Sequence, residues 1–241
     1  MRDNEIDELL RQAAQARLDV DPALLDRVAK SIGSSLHPVR PLPPAWILTG
    51  GLILICLAVA LAGAARSGLY GIQKLSVLER VVIFPALGIL IWLGASASVS
   101  ELIPGSRRRT APASLLGAGS FAMLAVFAVL FRDYRTDHFV SQGVVCLTAG
   151  LLHAIPAALV SWLLLRRGFA VNPVAAGLVV GTLAALAGVT MLELHCANFE
   201  APHVMLWHTA VMPVSAAVGA LLAWAALLRP RSGAHRRSAP E

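Results

Sequence analysis

A short polar stretch in the last third of the chain holds the side chains best suited to chemistry. Cys196 directly follows His195 and comes three residues after Glu193, and His208 lies a little further on. Thiolate and imidazole groups together bind soft and borderline metal ions such as zinc, cadmium or copper. The same neighbours can also make a thiol reactive. The stretch therefore predicts either a metal site or a redox-active thiol, and the sequence leaves that choice open.

The composition indicates that this stretch belongs to a membrane protein. Of the 241 residues, 57% are hydrophobic and only 14% are charged, and the mean hydropathy is +0.70. A soluble domain carries about a quarter charged residues, and a soluble core of this size could not bury so much apolar surface. The net charge of +6 is then explained by Lys and Arg in cytoplasmic loops and tails, and we expect no direct nucleic-acid binding.

Six apolar segments each approach the roughly 20 residues that a bilayer core requires. They cover about residues 46–64, 81–102, 111–131, 142–165, 173–194 and 204–228. We therefore predict an all-α polytopic bundle of six transmembrane helices over residues 46–228, followed by a basic tail at 229–241. Small residues in the last two segments, at Gly177, Gly181, Ser215 and Gly219, predict close contacts between helices.

The distribution of positive charge predicts the orientation. An even number of spans places both termini on one side, and 15 of the 20 Lys and Arg residues lie on that side, which is therefore cytoplasmic. Cys146, near the outer end of the fourth span, and Cys196, at the outer end of the fifth, then share one depth on the oxidising face. His153 lies two helical turns below Cys146. Each single histidine at such an interface can also be an ordinary anchor.

The sixth span opens with His203 and His208 at the same depth, whereas Cys56 lies in the middle of the first span. An isolated cysteine among apolar residues is expected to act as a small hydrophobic side chain. The chain contains no CxxC, HExxH, GxSxG, Walker or Rossmann motif. We therefore expect no enzyme, and a membrane oxidoreductase would need a cofactor site that the sequence does not show.

Residues 1–36 predict a polar, helical tail before the membrane domain. A first amphipathic helix is followed by a second, with Asp21 as its N-cap, Pro22 at its first position and Gly33 at its end. The apolar stripes of these two helices include Leu9, Leu10, Leu24, Leu25 and Val28. Two such short helices cannot bury these stripes alone, so they need each other, the membrane surface or a partner protein. Residues 37–45 contain four prolines and predict an extended spacer.

These features resemble the NrsF family, the negative regulators of sigma-F, over nearly the whole chain. The resemblance is carried by the strip Pro38-Val39-Arg40-Pro41-Leu42-Pro43-Pro44, by Cys146, by Arg166-Arg167-Gly168, and above all by Leu194-His195-Cys196 followed by Leu206-Trp207-His208.

The resemblance implies a six-span anti-sigma factor of the bacterial inner membrane that holds an extracytoplasmic-function sigma factor inactive. It assigns Cys146 and Cys196 to the sensing of heavy-metal or oxidative stress and directs the cytoplasmic tail toward the sigma factor. We add the hypothesis that the five apolar residues named above contact the sigma factor. His195, His208, His153 and Glu193 are candidate auxiliary ligands or modulators of the thiol pKa. No resident cofactor is required, although a soft or borderline metal ion could bind transiently. The alternative is a small membrane transporter or metal-handling accessory protein that uses the same Cys/His cluster.

Overall fold

The computed structural model of the chain describes residues 7–8, 11, 21–35, 43–103, 111–165 and 170–228. The chain divides into two units, residues 1–42 and residues 43–241. All regular secondary structure in the described residues is helical. The all-α fold expected from the sequence is therefore confirmed.

The first unit contains helix α1, Pro22–Ser35. The Asp21 carboxylate accepts a hydrogen bond from the backbone N–H of Ala23 at 2.9 Å, so the predicted N-cap is present. The helix continues two residues beyond Gly33, because glycine favours a helix end but does not impose one. The predicted first helix, with Leu9 and Leu10, lies outside the described residues except for positions 7, 8 and 11, which are helical.

In its described residues, the second unit contains six helical segments, each long and apolar enough to cross a membrane. Five of them are single helices: α2 (Ala45–Ser67), α4 (Val77–Leu102), α5 (Pro112–Leu130), α6 (Phe139–Leu165) and α7 (Pro173–His195). The sixth, Ala201–Leu228, consists of α8 (Ala201–His203), a π-helical turn (Val204–His208) and α9 (Thr209–Leu228). A short helix, α3 (Tyr70–Lys74), lies between α2 and α4. Neither α3 nor the π-helical turn was predicted.

Helix α4 begins four residues before the predicted start of the second span. Ser76 and Glu79 form a capping box, in which the Ser76 hydroxyl accepts from the Glu79 N–H at 3.3 Å and the Glu79 carboxylate accepts from the Ser76 N–H at 2.6 Å. These bonds satisfy backbone donors of the first turn. The helix therefore includes a charged pair, Glu79 and Arg80, that hydropathy alone had placed outside the span.

Helix α7 occupies the centre of the bundle. In its most apolar 18-residue window 78% of the residues are buried, against 17–39% for the other five segments. Glycines let neighbouring backbones approach it closely: a Cβ on Gly188 would lie 2.2 Å from the Gly150 carbonyl oxygen of α6, and a Cβ on Gly181 would lie 2.4 Å from the Ser215 carbonyl oxygen of α9. Gly177 meets Gly219 in the same way. The close contacts predicted from these small residues are present.

The connection between α2 and α4 supports the end of α7. Gly68 has a φ of +105°, a region that side chains disfavour, and its carbonyl accepts a hydrogen bond from Nδ1 of His195 at 2.9 Å. Gly71 of α3 packs so tightly that an added Cβ would lie 2.6 Å from the Glu193 carbonyl oxygen. Lys74 donates to the Ala197 carbonyl at 3.2 Å. The end of α7 and the short helix α3 thus both hold the backbone around Cys196.

Candidate functional site

Two cysteines that are 50 residues apart in sequence meet at one end of the bundle. The Sγ atoms of Cys146, on α6, and Cys196, just after α7, are 3.5 Å apart. Cys196 is 6% exposed, and its backbone N–H closes the last turn of α7 by donating to the Leu192 carbonyl at 2.7 Å. Cys146 is half-buried. The helix end therefore fixes one sulfur and the neighbouring helix brings the second against it.

Two imidazoles complete the group around Cys196. His203 Nε2 lies 3.6 Å from the Cys196 Sγ, and the ring centroids of His203 and His208 are 5.4 Å apart. The four ligand-type atoms of Cys146, Cys196, His203 and His208 all lie within 4.8 Å of one another. We refer to these four residues as the Cys/His cluster. Both imidazole side chains are fully buried.

The π-helical turn explains how His203 and His208 come to share a side of their segment. In an α-helix, residues five apart point in directions that differ by about 140°, because each residue adds about 100°. In the turn Val204–His208 the bonding pattern widens to i→i+5, which reduces the angle between the directions of residues five apart. A single wide turn therefore aims both rings at Cys196.

A buried carboxylate orients the second imidazole. Glu193 Oε1 accepts a hydrogen bond from His208 Nδ1 at 2.6 Å, and both side chains are fully buried. In a neutral imidazole, this bond places the hydrogen on Nδ1, toward Glu193, and leaves the lone pair on Nε2. Within the described residues, His208 Nε2, His203 Nδ1 and Glu193 Oε2 have no hydrogen-bond partner. Such groups are rare in protein interiors, and three of them adjoin one cluster here.

The environment of the Cys196 thiol favours its neutral form. The hydrogen bond with Cys146 raises the pKa of Cys196, burial raises this pKa further, and the imidazoles of His203 and His208 lower it. The net direction is upward from the ordinary value of a thiol. Cys196 is therefore a protonated thiol at neutral pH until a reagent or an ion replaces the proton.

An open groove of about 570 Å³ leads to the two sulfurs. Its lining includes Tyr70, Gln142, Val145, Cys146, His195 and Cys196. At its rim Asn198 donates to the Gln142 side-chain oxygen at 2.7 Å, which ties the loop after α7 to α6. Both cysteines of the pair thus line a groove on the surface of the bundle.

The other predicted auxiliary residues lie outside the Cys/His cluster. His195 is directed toward Gly68, and its ring centroid is 6.0 Å from that of Tyr70. His153 uses Nδ1 to bind the Ala149 carbonyl of its own helix at 2.8 Å, and its ring lies against Gly63 of α2. Of the four predicted auxiliaries, the structure brings His208 into the cluster and Glu193 against His208.

The sequence predicts that His203 lies at the same depth as Cys196, but it predicts no role for His203. Its five-residue spacing from His208 suggests opposite helix faces. The π-helical turn reduces the angle between the two side chains, and nothing in the local sequence predicts this turn. Cys56 lies away from the cluster, buried between α2 and α7, with its Sγ 4.0 Å from the Leu183 carbonyl oxygen.

Comparison with known proteins identifies a family. A family model described as "Negative regulator of sigma F" matches residues 33–229. This range includes all six long apolar segments and the whole Cys/His cluster. No curated protein and no solved structure matches the chain.

Proposed function

The chain belongs to the NrsF family of negative regulators of sigma F, and from this we propose that it is a membrane-bound anti-sigma factor with a cysteine stress sensor. In this proposal it holds an extracytoplasmic-function sigma factor inactive and releases it when heavy metals or oxidants react at Cys146 and Cys196. The observation that carries the sensor is the 3.5 Å separation of the two sulfurs. The proposal assigns the protein no catalytic role.

The proposed location is the bacterial inner membrane, with both termini in the cytoplasm. Six helical segments are suited to span a membrane, and most Lys and Arg residues fall on the side of the termini. The end of the bundle that carries Cys196 then faces the periplasm, where thiol pairs can oxidise and remain oxidised. The groove to the sulfurs would open to that compartment.

The proposed contact with the sigma factor uses the apolar stripe of the tail. Leu24, Leu25 and Val28 of α1 are 47%, 56% and 45% exposed. Full burial of such a side chain contributes about 1.5–3 kcal/mol, so a stripe of three is a substantial binding surface for a helical partner. The family match begins at residue 33, so the support for these residues is the exposed stripe. Leu9 and Leu10 stay a prediction from the sequence.

The proposed signal is a change in how the two sulfurs are joined. To form a disulfide they must approach from 3.5 Å to about 2.05 Å. The two thiols lose two electrons and two protons to an oxidant such as a hydroperoxide, which is reduced to water and an alcohol. A soft metal ion would instead displace the two thiol protons and lie between the sulfurs. Either event changes the position of α6 relative to the end of α7.

Helix α7 offers a route for this change toward the opposite end of the bundle. It contacts α6 at Gly188, about two turns from Cys196, and contacts α9 further along at Gly181 and Gly177. These contacts involve backbone atoms directly, so a shift of α6 cannot be absorbed by side chains alone. Packed helices can hold two discrete arrangements, and we propose that the two states of the regulator are of this kind.

A reporter driven by the sigma factor tests the proposal in cells. The Cys146→Ser, Cys196→Ser double variant should repress the reporter at rest but lose its induction by cadmium or by hydroperoxide. Cys56→Ser is the matched control, because it removes a cysteine that lies outside the cluster, and it should respond like the unmodified protein. Full induction of the double variant would contradict the sensor.

The same reporter distinguishes the alternative of a transporter or metal-handling protein. Removal of residues 1–36 should abolish repression if the tail holds the sigma factor. A protein that only moves or buffers metal would leave the reporter unchanged by this deletion and would alter cellular metal content instead.

A further inference from the structure

We propose that Cys146, Cys196, His203 and His208 form a tetrahedral S₂N₂ site for a d¹⁰ divalent cation, Zn²⁺ or Cd²⁺, with Glu193 orienting His208. The inference deepens the proposed function, since it shares the sulfur pair on which that function rests. It adds two imidazole ligands and a positioning carboxylate, and it specifies the coordination number. The binding itself can be measured without any sigma factor.

The separations within the cluster fit a tetrahedral ion. With Zn–S bonds of about 2.3 Å and Zn–N bonds of about 2.0–2.1 Å, the edges of the tetrahedron are about 3.8 Å between sulfurs and about 3.3 Å between nitrogens. The observed Cys146–Cys196 sulfur separation is 3.5 Å, and Cys196 Sγ lies 3.6 Å from His203 Nε2. All four ligand atoms fall within 4.8 Å of one another, so shifts of about an ångström complete the site.

The second shell has the form that metal-bound histidines usually show. A ligating imidazole commonly donates its other ring N–H to a carboxylate, which fixes the tautomer and the ring orientation. Glu193 accepts this bond from His208 Nδ1 at 2.6 Å. Nε2 of His208 is fully buried and has no partner within the described residues, and His208 supplies one atom to the group of ligand atoms. The bond to Glu193 thus directs a lone pair at the ion.

Charge and donor type select the class of cation. Two thiolates and two neutral imidazoles balance a divalent ion, which limits the cost of placing charge in an interior as buried as this one. Tetrahedral S₂N₂ sites favour zinc over the oxygen-seeking magnesium and calcium ions. Four protein ligands leave no open position for a substrate, and closed zinc sites of this kind are structural rather than catalytic.

A bound ion and a disulfide exclude each other at this site, because both use the same two sulfurs. An ion would link α6, the end of α7 and the π-helical turn, whereas a disulfide would link α6 and α7 only and release the imidazoles. A metal ion and an oxidant would therefore link different sets of helical elements at the same site.

Cobalt substitution tests the coordination directly. The full-length protein, purified in detergent micelles, reduced and freed of metal with a chelator, is titrated with Co²⁺. We expect one equivalent to bind with the intense visible bands of tetrahedral cobalt and a sulfur-to-cobalt charge-transfer band, and Zn²⁺ or Cd²⁺ should displace it. X-ray absorption of the zinc form should show two sulfur neighbours at about 2.3 Å and two nitrogen neighbours at about 2.0 Å.

Variants assign the ligands. His203→Ala and His208→Ala should each lose the tetrahedral spectrum, while Cys56→Ser should keep it. Glu193→Gln should keep the band positions but weaken the affinity about 10- to 100-fold, the usual effect of a lost second-shell partner. Circular dichroism confirms that each variant is folded, and the X-ray absorption spectrum of the unmodified protein decides the coordination even if a variant does not fold.

Binding without a sulfur charge-transfer band, or a spectrum unchanged in both histidine variants, would overturn the site. Failure of the regulatory proposal would look different. In that case the cobalt spectrum would appear as expected, while the reporter would respond to cadmium equally in the presence and absence of the cysteine pair.

Discussion

Cys196 shows how much of this site depends on single positions. It is the C-cap residue of α7, directly after the last helical residue, so the helix end fixes its backbone, and it lines the open groove at this end of the bundle. The sequence predicted that Cys146 would lie at the same depth, because depth follows from span boundaries and topology. It could not predict that the sulfurs touch, since depth leaves the rotation of each helix undetermined.

Gly68 is a second position on which the site depends, and we expect its replacement to destabilise the protein. Gly68→Ala places a side chain at φ +105° and a Cβ 2.2 Å from the Tyr70 ring, so the turn that binds His195 is strained. We expect the free energy of unfolding to fall by about 1–3 kcal/mol, measured by denaturant titration in micelles. Gly50→Ala is the control, because nothing lies within 4 Å of its added Cβ, and its stability should be unchanged or slightly higher. Equal stability of the two variants would contradict the assigned role of Gly68.

At the scale of elements, the six spans were predictable because each has a long apolar run and each break carries charge or proline. The boundaries of α4 and of the sixth segment were not, because a capping box starts α4 before its apolar run and the short helix α8 precedes the apolar run of the sixth segment. Helix α3 was missed for a related reason: its five residues are too short to show periodicity. The positions of the two imidazoles in the Cys/His cluster follow from the π-helical turn, and no residue type in the sequence predicts this turn.

The close crossing of α6 and α7 predicts that added volume between these two helices destabilises the bundle. Gly188→Ala adds a Cβ that would lie 2.2 Å from the Gly150 carbonyl oxygen, so the two helices must separate. We expect the free energy of unfolding to fall by about 1–3 kcal/mol, as for other overpacked contacts. Because Cys146 and Cys196 lie on these two elements, the disulfide between them should also form more slowly.

Non-reducing gel electrophoresis after a mild thiol oxidant measures that rate, in a Cys56→Ser background so that only one pair can form. Gly117→Ala on α5 is the matched control, because its added Cβ has nothing within 4 Å. If Gly188→Ala and Gly117→Ala oxidise at the same rate, then the α6–α7 crossing does not position the cysteines.

For the molecule as a whole, the sequence predicts two ends with different tasks. In the predicted topology, the Cys/His cluster lies at one end, and the termini with most of the positive charge lie at the other. Composition and charge alone predict this division, since they reflect the bilayer as a solvent. The connection between the two ends depends on helix packing. The buried position of α7, and its glycines at the contacts with neighbouring helices, are seen only in the three-dimensional structure.

The central claim is that chemistry at the cysteine pair controls the hold on the sigma factor. The most direct measurement uses the full-length protein in lipid nanodiscs with the co-purified sigma factor bound, and follows the fraction of sigma factor released after addition of Cd²⁺ or a hydroperoxide. Release is predicted from the unmodified protein and from Cys56→Ser, and retention from the Cys146→Ser, Cys196→Ser double variant. Release from the double variant, or retention by the unmodified protein under both treatments, would contradict the account.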